Sequence, residues 1–237
     1  FDGKLQGWNG EPSASKAGKR QQRRTGIYMY LWNRLLMASP ARFTEAAPLL
    51  MDAVGYVNSV SDHTYNLWGT VLGQTGGFGV SALCTDFGAL SDEMAARGMG
   101  DETFRDKVAA VGACMDGSPE DTLWEIVHSV GDWPDAPAVL GNAMFQAMPG
   151  RLPDAIAWAV DLNSYLGEMS GAAGVVCVSG WGRPNSVRLY YGYDSISAWQ
   201  ERSAATQNDA GWLERMQAVV GIGDQGTLET GVFRRLV

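Results

Sequence analysis

The sequence predicts an α+β fold. Two tandem β-α-β-β-α-β units of about 105 residues pack as one pseudo-two-fold, barrel-like body behind an extended basic N-terminal arm. Three observations carry that prediction. The first is an internal repeat. At an offset of 109, residues 33–57 fall on 142–166 with seven identities: Asn33/Asn142, Ala38/Ala147, Pro40/Pro149, Arg42/Arg151, Ala46/Ala155, Asp52/Asp161 and Tyr56/Tyr165. At an offset of 108, residues 86–111 fall on 194–219 with six more: Asp86/Asp194, Glu93/Glu201, Ala96/Ala204, Asp101/Asp209, Ala110/Ala218 and Val111/Val219. A fixed spacing with one gap is the signature of a duplicated structural unit. The second is composition: 46% hydrophobic and 19% charged residues specify a packed core and exclude a disordered chain. The third is charge asymmetry. Residues 1–25 hold six basic and two acidic side chains, whereas the whole chain carries −8, so the body is strongly acidic.

Each unit opens on an aromatic and aliphatic run, 26–37 or 140–148, that reads as a strand and ends at Pro40 or Pro149. A helix follows, with Phe43, Ala46, Ala47, Leu50, Val54 and Val57 spaced at three and four; Leu152, Ala155, Ile156, Ala159, Leu162 and Leu166 repeat the pattern. Thr44 is placed to cap the first helix, with Pro48 in its first turn. Two strands joined by a glycine or proline turn come next: 65–73 with 78–85, and 175–182 with 186–194. A second helix centres on 101–114 and 209–220, and a last strand, 122–130 or 227–236, closes the unit. The domain boundaries are 1–25 for the arm, 26–131 for the first unit and 138–237 for the second.

This order is the ferredoxin-like pattern, in which helices cover one face of a four-stranded antiparallel sheet. The first strand is apolar on both sides (Ile27 to Trp32), so the other face also needs a cover, and a tandem copy packed face to face supplies it. By element order and duplication over about residues 26–237, the chain resembles the dimeric α/β-barrel superfamily, in the form with both halves in one polypeptide. That resemblance implies small-molecule chemistry of the kind found in cofactor-independent monooxygenases of aromatic polyketide pathways, small isomerases and lyases, and haem enzymes resembling chlorite dismutase. It carries over no catalytic residue.

Haem is disfavoured, because only His63 and His128 exist and the second unit has no histidine. No metal-ligand spacing occurs, so no cofactor and no metal are expected. Gly73 to Gly79 superficially resembles a phosphate loop but joins two antiparallel strands, which makes it a hairpin turn. Cys84, Cys114 and Cys177 are odd in number and widely spaced, which suits a reducing compartment and a cytoplasmic location. No apolar run is long enough for a membrane-spanning helix, and no signal-peptide pattern opens the chain as given.

The candidate site is a set of polar and aromatic groups at related positions of both halves: Asn33, Arg42 and Trp68, with Asn142, Arg151 and Trp181. Tyr190, Tyr191 and Tyr193 crowd a nearby strand. Amide, indole and guanidinium together can grip a planar, oxygen-rich aromatic and stabilise an enolate or peroxide anion. The same residues have a structural reading, because groups kept in both halves of a duplication serve the fold more often than a site used once. The expected function is a cofactor-independent monooxygenase- or isomerase-like enzyme on an aromatic or polyketide-like substrate. The alternative is a non-catalytic assembly or partner-binding subunit. A cavity between sheet and helices separates the two. The arm is expected to lie extended on an acidic neighbouring copy and hold a homo-oligomer, with Leu5 and Trp8 as anchors; the acidic body disfavours nucleic acid.

Overall fold

A computed structural model describes residues 29–131 and 136–237. The expected arm over 1–25 lies outside these residues. The first half runs β1 (Tyr30–Met37), α1 (Phe43–Val60), β2 (Tyr65–Leu72), β3 (Gly77–Cys84), α2 (Phe87–Gly100), α3 (Glu102–Gly112) and β4 (Glu120–Val130). The second half repeats the order with β5 (Val139–Ala147), α4 (Leu152–Ser170), β6 (Gly174–Trp181), β7 (Ser186–Tyr193), α5 (Ile196–Gln207), α6 (Ala210–Ala218) and β8 (Gly223–Arg235).

The eight strands form one closed antiparallel barrel in the order β1-β3-β2-β8-β5-β7-β6-β4. Strand register keeps the spacing seen in the sequence. Asn33 faces Ser81 and Asn142 faces Tyr190, each 109 residues further on; Tyr65 faces Ala82, and Gly174 faces Tyr191. The halves are not two sheets stacked face to face. They are zipped edge to edge, β4 on β6 and β2 on β8, so neither half keeps a free strand edge among the described residues.

Helices cover the outside. In the first half Ala46, Leu50, Ala53, Val54 and Val57 of α1 pack on Leu67, Phe78, Val80 and Ala82. In the second half Ala155, Ala159, Leu162 and Leu166 of α4 pack on Phe145, Val176, Val187 and Leu189. The alternation of a strand then aims the intervening residues into the barrel.

Two expectations need correction. Where one second helix is expected per unit there are two, because Asp101 and Asp209 each break the run and cap a new helix. Thr44 is not a cap. A short 3₁₀ turn, Pro40–Arg42, leads directly into α1, Thr44 is its second residue, and Pro48 lies inside the helix beyond the first turn.

The residues shared by the two halves hold the helices in place. Tyr56 donates its hydroxyl to Asp101 at 2.8 Å, and Tyr165 donates to Asp209 at 2.5 Å, so each helix cap is tied to the long helix beside it. Asp52 pairs with Lys107, and Asp161 pairs with Arg215.

Candidate functional site in the barrel interior

The helix–sheet layers are largely occupied by side chains, and the large cavity lies elsewhere. A space of about 1660 Å³ opens inside the barrel, lined by inward-facing residues of nearly every strand. A cleft of about 340 Å³ is also present near β5, β7 and α5, against Tyr191, Tyr193 and Trp199. The expected place, between sheet and helices, therefore holds only the smaller of these two spaces.

The interior is lopsided. On the second-half side Trp124, Met144, Val175, Cys177 and Tyr190 form a buried plug, with Leu31, Ile126 and Leu140 against it. Two positions 109 residues earlier carry smaller groups, with Ser81 where Tyr190 stands and Gly79 where Arg188 stands, whereas Trp68 stands where Cys177 stands. A side chain built at Gly79 would meet Trp68 at 3.8 Å. Ser81 and Gly79 both border the cavity.

At the junction of plug and cavity lies a polar cluster. Asn33 Nδ2 donates to the Tyr190 hydroxyl oxygen at 3.1 Å, and Arg188 Nη1 donates to the same oxygen at 2.9 Å. With two donors on its oxygen, the Tyr190 O–H has no acceptor among the described residues, and the residue lines the cavity. Burial pushes the Tyr190 phenol up, against the lowering pull of Arg188 and Asn33. The guanidinium of Arg188 sits 4.3 Å from the centre of the Trp124 ring. Asn142 Oδ1 is buried without a hydrogen-bond partner among the described residues. Trp68 donates its indole N–H to Ser81 at 2.8 Å. Burial raises the Cys177 thiol to about 12, which leaves it an inert core thiol.

Of the six residues singled out in the sequence, Asn33, Trp68 and Asn142 line this cavity, while Arg42, Arg151 and Trp181 do not. Arg42 clamps Glu45 and donates to the Ala113 carbonyl at the end of α3. Arg151 does the same with Asp154 and the Gly221 carbonyl after α6. Trp181 ends β6 with three-quarters of its surface in solvent (75%). Arg188 was not among the six. Its trace in the sequence is an arginine inside the apolar run Val187-Arg-Leu-Tyr-Tyr191, where an inward-facing cation has no structural need.

The histidines already have partners. His63 Nδ1 lies 2.7 Å from Glu93, and His128 Nδ1 lies 3.0 Å from the Asn163 amide. Among the described residues no group of three or more His, Cys, Asp or Glu converges. Both histidines also line the barrel cavity. No described helix is long and apolar enough to cross a membrane.

Solved structures share this architecture. An anthrone oxidase-like protein superposes with a TM-score of 0.67 at 13% identity, over 90% of this chain and 93% of that one. A candidate monooxygenase from Fusobacterium nucleatum gives 0.68 at 9% identity over 89% and 93%. Another from Lactobacillus acidophilus gives 0.60 at 10% identity over 88% and 94%. The chain thus has the dimeric α/β-barrel fold, complete within one polypeptide. No protein-family model and no curated protein matches it.

Proposed function

We propose that the protein is a small-molecule enzyme of monooxygenase- or isomerase-like type, working without a cofactor on an aromatic or polyketide-like substrate bound inside the barrel. One observation carries the reading: the Tyr190 hydroxyl, fixed by Asn33 and Arg188, has its own proton available at the wall of a roomy cavity. A phenol whose oxygen accepts from a cation is a strong donor. Aimed at a carbonyl or phenolic oxygen, it stabilises the enolate that forms when the ring is deprotonated, and Arg188 supplies positive charge beside it. Trp68 and the aliphatic side chains of β1 supply the apolar walls for a flat ring. The two halves are read as copies of one unit, of which the first contributes Asn33 and the second Arg188 and Tyr190 to the cluster.

The neighbours named for anthrone oxidation or monooxygenation support this choice by fold alone. The small space left between helices and sheet would suit a non-catalytic subunit, but the interior cavity with its oriented donors outweighs it.

An anthrone, in air and in buffer stripped of metal, is the substrate to test. Oxygen uptake above the buffer rate is expected, and Tyr190→Phe should lower kcat by about 10²-fold with little change in KM, as for loss of one oxyanion donor. A rate equal to that of buffer, or an unchanged rate in Tyr190→Phe, would refute the reading.

A further inference from the structure

Arg188 is 5% exposed on β7 and lines the barrel cavity. Glu229, opposite Met144 in the register, lines the same cavity and is paired with Arg183. No ion pair among the described residues includes it. A buried cation held without a counter-charge is costly, and a fold does not need one here. The matching position of the first half is Gly79. The arginine is therefore present once in a repeated architecture, as a residue of a single-use site would be.

Its hydrogen bonds leave one edge open to a stronger partner. Nη1 is committed to the Tyr190 oxygen. Nη2 reaches only the Met144 sulfur at 3.1 Å, and a thioether is a weak acceptor. Nε is buried with no partner among the described residues. Nε and Nη2 form the side of a guanidinium that takes a carboxylate in two parallel hydrogen bonds. Met144, unbranched and adaptable, is the side chain that must swing aside to admit one. One strand away, Asn142 Oδ1 is an acceptor without a donor, and Asn142 lies opposite Tyr190 in the sheet. Trp124 under the guanidinium continues the flat apolar floor.

We propose that Arg188 anchors a small planar hydroxy-carboxylate, its carboxylate bridging Nε and Nη2 and its hydroxyl donating to Asn142 Oδ1. This names the ligand class of the barrel interior and rests on the reading of that interior as the substrate site. Cation and anion neutralise each other on binding, and no covalent step is involved.

Calorimetric titration of the full chain with 3-hydroxybenzoate and with neutral 3-hydroxybenzamide tests it. The acid should bind at least about tenfold more tightly than the amide, the size of a charge-assisted pair in a buried site. Arg188→Met should abolish that preference, and Arg188→Lys should retain only part of it. Benzoate, which lacks the hydroxyl, should bind more weakly than 3-hydroxybenzoate, and Asn142→Leu should erase that difference. Equal affinities for acid and amide in the unmodified protein, or no detectable binding of either, would overturn the proposal without need of any variant. A preference that survives Arg188→Met would also overturn it. Carboxylate preference without anthrone oxidation would sink the enzymatic reading and leave this site standing. Oxidation without carboxylate preference would do the reverse.

Discussion

At the scale of single residues, Arg188 sets stability against binding. Taking a guanidinium out of water costs several kcal/mol, and a stacked indole, one phenol oxygen and one thioether return only part of that. Replacing a buried ion by an apolar side chain of similar shape is often neutral or stabilising. Arg188→Met is therefore expected to melt at or above the temperature of the unmodified protein when no ligand is present, read by calorimetry. A loss of more than about 3 kcal/mol, the size expected when a needed buried partner is removed, would mark Arg188 as a structural residue. Asn33, Tyr190 and Arg188 also share one hydrogen-bonded oxygen, so their substitutions should not add in a double-mutant cycle.

At the scale of elements, the helices are held by a few repeated contacts and one that is not repeated. Asp101 and Asp209 each accept from a backbone N–H of the helix they cap and from a tyrosine on the long helix beside them. Losing either carboxylate removes a cap and an inter-helix tie together. Asp101→Ala and Asp209→Ala should each lower Tm by roughly 2–4 °C for a domain of this size, and an unchanged melting curve would contradict the assignment. Glu93 on α2 ties that helix to the start of β2. It accepts from Ser61, from Arg97 at 2.5 Å, and contacts His63 at 2.7 Å. Burial works to raise the Glu93 carboxyl, but the hydrogen bonds from Ser61, Arg97 and His63 outweigh it and bring it down to about 2. A carboxyl lowered in the folded state contributes stability that is fully present above its ordinary value near 4.5 and is lost as pH falls through about 2. Acid titration should therefore loosen the α2 corner between those two values. Glu93→Gln should flatten that part of the stability profile, and a profile identical to that of the parent would rule the contact out as its source.

At the scale of the whole molecule, closure of the barrel makes the halves one cooperative unit. Each half has its own helix-covered core, but the plug around Trp124 takes residues from both, and two strand seams join them. The last residues extend one seam, since Leu236 donates its N–H to the Leu67 carbonyl at 2.7 Å and Leu67 donates to the Val237 carbonyl at 3.1 Å. Urea unfolding followed by tryptophan fluorescence and by far-UV circular dichroism should give coincident transitions. A plateau with one half unfolded would show that the seams contribute little. With every described strand edge paired inside the chain, a second copy is not needed to close the sheet. Any assembly must use another surface, and the basic residues of 1–25 are the proposed one. Deleting residues 1–24 should reduce the mass in solution at low salt, and an oligomeric state unchanged at low and high salt would dismiss the arm as the link.

The sequence by itself determined the order of elements, the 109-residue spacing and the residues that keep the fold. Local patterns encode these: apolar periodicity marks α1 and α4, turn residues bound the hairpins, and Asn33 with Asn142 or Arg42 with Arg151 announce a repeat. The split of each second helix at Asp101 and Asp209 was not read from the sequence, because a capping aspartate looks like any exposed acid until the tyrosine opposite it is placed. Only the tertiary structure decided that the halves join edge to edge, because strand pairing between distant segments leaves no local trace. It alone separated Trp68, which faces the cavity, from Trp181, which faces solvent. Repetition drew attention to Arg42 and Arg151, and the structure gives both to helix ends. The proposed binding group is where the repeat breaks, at Arg188 against Gly79. A site used once needs asymmetry, and which asymmetric residue faces inward is settled by barrel closure, not by composition.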